Sequence, residues 1–142
     1  MNTTFDPKYT KAVAYFSMEF AIHQALKVYS GGLGFLAGSH MRSAFELKQN
    51  MVGIGILWSY GYYDQARNED SSMSMMYRRK HYSFLEDTGA MVCINIYGTN
   101  VYIKALKLNP EIFGTVPIYF LTTDIPENDY LSRTITHKLY EG

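Results

Sequence analysis

Three glycines fall within four positions of the segment Tyr29–Gly34 (YSGGLG), directly ahead of a stretch with helical spacing. The sequence predicts an amphipathic helix over 33–49. Its expected apolar face consists of Leu33, Leu36, Ala37, Met41, Ala44 and Leu47. Short apolar runs on either side, Ala12–Phe16 and Val52–Leu57, are typical of strands buried on both faces. The order strand, glycine loop, helix, strand indicates an α/β unit with a right-handed crossover.

The second half of the chain has a different pattern. Apolar residues alternate over Val92–Ile96 and again over Val101–Ala105, with turn residues around Gly98, which predicts an inserted β-hairpin. A third buried strand is expected over Val116–Thr122, and an apolar stripe suggests a helix from Tyr130 onward. The stripe consists of Leu131, Ile135 and Leu139. Because it ends without a further strand to cover, we expect the chain to be part of a longer protein.

Composition limits the classes of function. The 142 residues suit one domain, and 13 basic residues balance 13 acidic ones, so no global charge favours nucleic acid or an anionic membrane. The basic cluster Arg78–Lys80 is interpreted as a solvated loop. The single cysteine, Cys93, excludes an intrachain disulfide and is expected to be a small core residue. The longest apolar run, Met51–Trp58, is too short to span a membrane, so we expect a soluble, cytoplasmic chain.

The glycine loop has two interpretations of similar weight. Glycine lets a ligand approach the backbone closely, and the first N–H groups of a helix favour an anion, so a phosphate or a sugar hydroxyl fits there. Alternatively, the glycines only permit close packing of helix against sheet. A dinucleotide site is disfavoured, because no strand directly precedes Gly32 and no acidic residue ends the second strand.

Other candidate groups are less specific. Glu19 follows the first strand, where open α/β sheets collect functional side chains. It is suited to accept hydrogen bonds from a substrate or to hold a basic group, and a loop cap or salt bridge is an equal alternative. No metal site is expected, because the histidines show no metal-ligand spacing. The histidines are His23, His40, His81 and His137. No serine lies in a nucleophile-elbow pattern.

Four linked segments carry a family resemblance. They are Tyr15–Phe20 (YFSMEF), Tyr29–Gly38 (YSGGLGFLAG), Val52–Gln65 (VGIGILWSYGYYDQ) and Thr123–Asn128 (TDIPEN). In this order and spacing, which run from about Ala12 to Leu139, they resemble the start of an α-glucan (glycogen, starch or maltodextrin) phosphorylase, and the shorter bacterial-type branch is the more similar.

The resemblance implies a two-domain, B-type glycosyltransferase with its active site between Rossmann-like halves. Such enzymes transfer a glucosyl unit from an α-1,4-glucan to inorganic phosphate and use pyridoxal phosphate as a proton relay. Residues 1–142 would be the N-terminal portion of the catalytic region. The lysine that holds the cofactor would lie in the C-terminal domain beyond Gly142, so we expect this chain alone to bind no cofactor and to be inactive.

The resemblance also implies site residues. Gly31, Gly32, Leu33 and Gly34 would bind substrate and phosphate, Glu19 would lie near the cofactor, and Tyr60, Gly61 and Gln65 would line the cleft. Animal-type members carry a tyrosine two residues after the glutamate. This chain has Ala21 there, so that contact is not carried over.

Two other functions remain open. One is a noncatalytic carbohydrate-binding module that keeps the fold without the chemistry. The other is part of a nucleotide-sugar glycosyltransferase of the glucan synthase type, although a basic residue before the glycines would favour that class and this chain has Ser30. An apolar surface left uncovered would also favour self-association of the chain.

Overall fold

The computed structural model describes residues 5–8, 10–23, 26, 28–59 and 85–139. The predicted residues Tyr60, Gly61 and Gln65 lie outside this part of the chain, as do His81 and the basic cluster. Among the described residues, no helix combines the length and apolarity needed to cross a membrane.

The described chain forms one five-stranded mixed sheet with helices, which confirms an α/β fold. The helices are α1 (Gly32–Glu46), α2 (Pro110–Phe113) and α3 (Tyr130–Arg133), followed by a 3₁₀ turn over Thr134–Thr136. The strands are β1 (Val13–Phe16), β2 (Met51–Ile56), β3 (Leu85–Ile96), β4 (Thr99–Leu108) and β5 (Ile118–Thr122). In space the strands follow the order β1-β2-β5-β4-β3.

The sheet has a parallel half and an antiparallel half. Strands β1, β2 and β5 are parallel neighbours, whereas β4 pairs antiparallel with β5 and β3 pairs antiparallel with β4. The predicted hairpin is therefore confirmed and extends the sheet at one edge. Because β4 meets β5 only from Lys104 to Leu108, the hairpin's tip projects beyond β5 as a two-stranded ribbon.

The core lies between α1 and one face of the sheet. Phe20, which follows β1, is fully buried and meets Phe120 of β5 edge to face at 6.0 Å between ring centroids. Gly53 and Gly55 of β2 leave the space that this packing needs, because a methyl group at Gly55 would lie 2.8 Å from the Phe20 ring. Met41 of α1 is fully buried and belongs to the same core.

Helix α1 confirms the predicted helix but not its apolar face. The buried residues are Gly34, Ala37, Gly38, Met41 and Ala44, whereas Leu33, Leu36 and Leu47 are exposed. The reason is a close backbone approach: a methyl group at Gly38 would lie 2.2 Å from the carbonyl oxygen of Ala21. Small residues therefore face the sheet, and the larger leucines face outward.

Three further expectations are wrong. Strand β1 is not buried on both faces, because Val13, Ala14 and Phe16 are exposed. Cys93 is exposed on the hairpin ribbon rather than in the core. The stripe after Tyr130 does not form one helix: α3 and the 3₁₀ turn are short, and Leu131 and Ile135 are exposed.

Candidate functional site

The carboxyl ends of the three parallel strands meet at one edge of the sheet. Glu19 follows β1, Ser59 follows β2 and Asp124 follows β5. The glycine loop and the amino terminus of α1 lie beside Glu19. Open α/β sheets commonly bind ligands at this edge, which makes it the candidate site.

Glu19 anchors the glycine loop. Its side chain is only 2% exposed, and its Oε1 accepts the backbone N–H groups of Ser30 at 2.5 Å and Gly31 at 3.1 Å. The hydroxyl of Ser17 fixes the backbone on the other side by donating to the Glu19 carbonyl at 2.7 Å. Hydrogen bonds from N–H groups to a carboxylate are strong, so Glu19 determines where the loop lies. Of the roles considered for it, the described contacts match the loop cap.

Four glycines of the loop and of α1 fall into two pairs with different reasons for being small. A methyl group at Gly34 would lie 2.7 Å from the Tyr29 Cβ, and one at Gly38 would lie 2.2 Å from the Ala21 carbonyl oxygen, so this pair permits close packing of the helix. A methyl group at Gly31 or Gly32 would meet no described atom within 4 Å. In the described part of the chain the backbone at Gly31 and Gly32 therefore borders open space, where a ligand has room to approach.

Of the backbone N–H groups at the loop, two have no acceptor among the described residues. The N–H groups of Gly34 and Phe35 donate to the Gly31 carbonyl at 3.0 and 3.3 Å, and those of Ser30 and Gly31 are taken by Glu19. Within the described residues, the N–H groups of Gly32 and Leu33 have no partner. They are the first donors of a 15-residue helix, where the helix dipole also favours negative charge. This pair of donors suits a phosphate oxygen or a sugar hydroxyl.

A second polar cluster ties β2 to β5 at the same edge. Ser59 Oγ donates to Asp124 Oδ2 at 2.7 Å, and His137 Nε2 lies 3.6 Å from the same oxygen. The aspartate lies between the serine and the histidine, so the cluster lacks the serine–histidine contact that nucleophilic catalysis requires. Its role in the described structure is to join Ser59, which follows β2, to Asp124, which follows β5.

Asn128 has a structural role that its sequence pattern did not reveal. Its Oδ1 accepts the Tyr102 N–H at 2.8 Å, and its Nδ2 donates to the carbonyls of Tyr102 and Thr123, both at 2.7 Å. The side chain thus continues the pairing of β4 beyond the end of β5. Its position in the quoted segment Thr123–Asn128 was the available signal, but only the fold shows which backbone groups it pairs.

The remaining histidines do not form a site in the described part of the chain. His40 is exposed on α1 and stacks on Tyr15 with ring centroids 5.0 Å apart. His23 meets the Phe113 ring. Among the described residues, no group of three histidine, cysteine or acidic side chains is placed to hold a metal ion.

Comparisons with known proteins give relatives for almost the whole chain, although no protein-family model matches it. An uncharacterized protein of Methanocaldococcus jannaschii is 62% identical over 132 residues, which are 93% of this chain and 25% of that protein. A maltodextrin phosphorylase of Thermococcus litoralis is 32% identical over 144 residues, 96% of this chain and 17% of that enzyme. A glycogen phosphorylase of Mycobacterium tuberculosis is 34% identical over 137 residues, 92% of this chain and 16% of that enzyme.

The names of the two phosphorylases agree with the family resemblance, and the shares covered show that the chain matches only part of each enzyme. The chain spans a quarter of the first relative and about a sixth of each of the two phosphorylases. More than nine-tenths of the chain is aligned with each phosphorylase. The family resemblance is confirmed: this chain is homologous, over nearly its whole length, to part of the glycogen and maltodextrin phosphorylases.

Proposed function

We propose that this chain is the N-terminal part of an α-1,4-glucan phosphorylase, a cytoplasmic enzyme that transfers a glucosyl unit from a glycogen- or starch-type glucan to inorganic phosphate, yielding glucose 1-phosphate. Residues 1–142 form part of the Rossmann-like half of a B-type glycosyltransferase. The observation that carries the proposal is the pair of N–H groups at Gly32 and Leu33, which have no partner among the described residues and lie at the start of α1.

In this proposal the chain supplies one wall of the catalytic cleft. Glu19 holds Ser30 and Gly31. The next two N–H groups belong to the first turn of α1, where a helix provides no acceptor of its own. Donors that are fixed before the reaction stabilise negative charge without further rearrangement. The Gly32 and Leu33 N–H groups would bind a phosphate oxygen or a glucosyl hydroxyl, while Tyr60, Gly61 and Gln65 would line the cleft nearby.

The negative charge of Glu19 bears on how strongly this chain alone could bind phosphate at the glycine loop. The Glu19 carboxylate contacts Gly31, which directly precedes the Gly32 and Leu33 donors, so it repels a second negative charge placed there. Two backbone N–H groups offset only part of that repulsion. We therefore expect weak phosphate binding by this chain alone and assign the basic side chains to the longer polypeptide.

Pyridoxal phosphate is the cofactor that the family implies for the longer protein. The donor set at the glycine loop fits a phosphate group, whether of the cofactor or of the substrate. A backbone N–H cannot form the covalent link to an aldehyde that a lysine amine forms, so the loop alone would not retain the cofactor. Bound to the complete enzyme, the cofactor would supply the proton relay for phosphorolysis.

An assay of the longer M. jannaschii relative tests the reaction, since it is 62% identical to this chain over the aligned region. With maltodextrin, inorganic phosphate and pyridoxal phosphate, it should yield glucose 1-phosphate, and this chain alone should yield none. Chain elongation from a nucleotide-sugar without phosphorolysis would instead identify the synthase-type transferase. Calorimetric binding of maltooligosaccharide by this chain, with no reaction in the relative, would identify the noncatalytic module.

A further inference from the structure

A cavity of about 370 Å³ lies at the amino ends of β1 and β2, at the opposite end of these strands from the glycine loop. Its apolar part is formed by Val13 and Met51, the first residues of the two strands. Its polar part comes from the segment before β1 and from the turn between α1 and β2, and consists of Lys8, Thr10, Lys11, Gln49 and Asn50. Among the described residues that line it, none is acidic. We call it the lysine cavity.

Backbone hydrogen bonds hold the two walls of the lysine cavity together. At one end the N–H of Asp6 donates to the Lys48 carbonyl, and at the other the N–H of Val13 donates to the Asn50 carbonyl, both at 2.9 Å. Among the described residues between these two bonds, no backbone hydrogen bond joins 7–12 to the turn. The walls are therefore fixed at both ends and open between them, so the lining residues stay together without a ligand.

The positive charges of the lysine cavity are not neutralised within the described part of the chain. Its ion pairs are Lys104 with Asp87 and His137 with Asp124, and neither involves Lys8 or Lys11. Asp6 is the acidic residue closest to them in the sequence, but its Oδ1 accepts the backbone N–H of Lys8 at 2.9 Å. Two like charges beside one cavity repel each other, and an anion placed between them turns that repulsion into attraction.

The carboxyl end of α1 offers another explanation for lysines at this place, because cations stabilise the negative end of a helix dipole. Three of the last carbonyls of α1, those of Ser43, Ala44 and Phe45, already accept backbone N–H groups from residues 47–49. Among the described hydrogen bonds, none runs from a lysine ammonium to these carbonyls. The helix end therefore does not account for where the two ammonium groups lie.

We infer that the lysine cavity binds a phosphate group, with Lys8 and Lys11 as its charged ligands and the polar residues Thr10, Gln49 and Asn50 as uncharged ones. Hydrogen bonds from ammonium groups to phosphate oxygens are among the strong ones. The volume lies within the range of about 300 to 1,000 Å³ that is typical of small-molecule sites, so the cavity holds either inorganic phosphate or a small phosphate monoester. The inference goes beyond the proposed reaction and does not depend on it.

Two titrations of this chain at constant ionic strength test the inference, one with inorganic phosphate and one with glycerol 2-phosphate. Amide chemical shifts in nitrogen-15 spectra should move saturably at Lys11 and Asn50, which lie on opposite walls of the cavity. Tighter binding of glycerol 2-phosphate would identify a phosphate monoester as the ligand, and equal or weaker binding would identify free phosphate. Shifts at these amides that do not saturate with either probe would overturn the inference.

A matched pair of double variants tests the charged ligands. Lys8→Gln combined with Lys11→Gln should lower the affinity measured at Asn50 by about tenfold or more. Lys107→Gln combined with Lys138→Gln removes the same two charges outside the cavity and should leave that affinity within about twofold. Equal affinities of the two double variants would overturn the inference. A lower Tm of the first variant with unchanged affinity would do so too, because it would assign the lysines to the helix end.

These readouts separate the cavity from the glycine loop. Gly32→Pro should leave the shifts at Lys11 and Asn50 unchanged, because the loop lies at the other end of the parallel strands. Saturable shifts at Lys11 and Asn50 with none at Leu33 would support the lysine cavity and count against the proposed function. Saturable shifts at Leu33 alone would do the reverse.

Discussion

The buried carboxylate of Glu19 accepts the backbone N–H of Gly31 at 3.1 Å, across twelve residues of sequence. The same oxygen accepts the N–H of Ser30. This contact fixes the loop directly before Gly32 and Leu33, whose N–H groups have no partner among the described residues. The stability of the loop and the availability of its donors therefore both depend on one side chain.

Glu19→Ala should destabilise the chain by about 2 to 3 kcal/mol, because it leaves two backbone donors without their charged acceptor. Glu19→Gln keeps an oxygen acceptor and should cost less. Urea unfolding followed by circular dichroism measures both, with Glu127→Ala as the control, since Glu127 is exposed. An unfolding free energy for Glu19→Ala equal to that of the control would show that the carboxylate does not anchor the loop.

Alanine substitutions should separate the glycine pairs. Gly38→Ala forces a methyl group to 2.2 Å from the Ala21 carbonyl oxygen and should cost about 2 kcal/mol or more, since neither backbone can move freely. Gly32→Ala meets open space at the start of a helix and should be neutral or stabilising by up to about 1 kcal/mol. Thermal unfolding measures the stability of the two variants. Equal losses of unfolding free energy would mean that close packing does not explain why position 38 is a glycine.

The glycines illustrate what sequence could and could not predict. Their spacing before a helix predicted the loop, and both interpretations of it were reasonable. Helix α1 carries two apolar stripes, one of leucines and one of small residues, and hydrophobicity alone favours the leucines. Contact between the backbones of Gly38 and Ala21 selects the small residues instead, and such a long-range contact is invisible in the local pattern.

The exposed positions of Cys93 and Phe16 have a similar cause. Alternation correctly predicted that Cys93 lies in a strand, but not that the ribbon projects beyond β5, where Cys93 is exposed. The apolar run at Phe16 predicted a buried strand, but Phe16 lies on the face of β1 away from α1 and is exposed. Local patterns thus predicted the elements, while the uncovered surfaces depend on which elements are neighbours.

Asn128→Ala should destabilise the chain by about 2 to 3 kcal/mol, because the N–H of Tyr102 and two carbonyls lose a partner in a largely buried place. Asn128→Asp retains the acceptor for Tyr102 but not the donors and should be intermediate. Asn100→Ala on the exposed hairpin is the control. Denaturant midpoints measure the series, and a midpoint of Asn128→Ala close to that of Asn100→Ala would refute the bridging role.

Acid stability should depend in part on the start of α3. The backbone N–H of Ser132 donates to Asp129 Oδ1 at 2.8 Å, and this hydrogen bond lowers the pKa of Asp129 below its ordinary value of 3.8. Because the folded-state pKa is the lower one, the carboxylate stabilises the fold above the unfolded-state pKa, and this contribution is lost as the pH falls through the folded-state value.

Asp129→Asn should therefore flatten the loss of stability below about pH 4, while keeping a side chain that can cap the helix. The urea midpoint measured across this acid range, with Glu127→Gln as the exposed control, gives the result. A pH profile identical to that of the parent chain would show that Asp129 contributes nothing to acid sensitivity.

The most direct test of the central claim is a phosphate titration of this chain, followed by amide chemical shifts in nitrogen-15 spectra. Gly32→Pro removes one of the two outward donors at the first helical position, where proline is well tolerated, and Gly32→Ala keeps that donor as the matched control. The account predicts weak, saturable shifts at the Leu33 amide in the parent chain and in Gly32→Ala, and a loss of affinity of about fivefold or more in Gly32→Pro. Equal affinity of the proline and alanine variants, or shifts that do not saturate, would contradict the assignment of these N–H groups as the phosphate site.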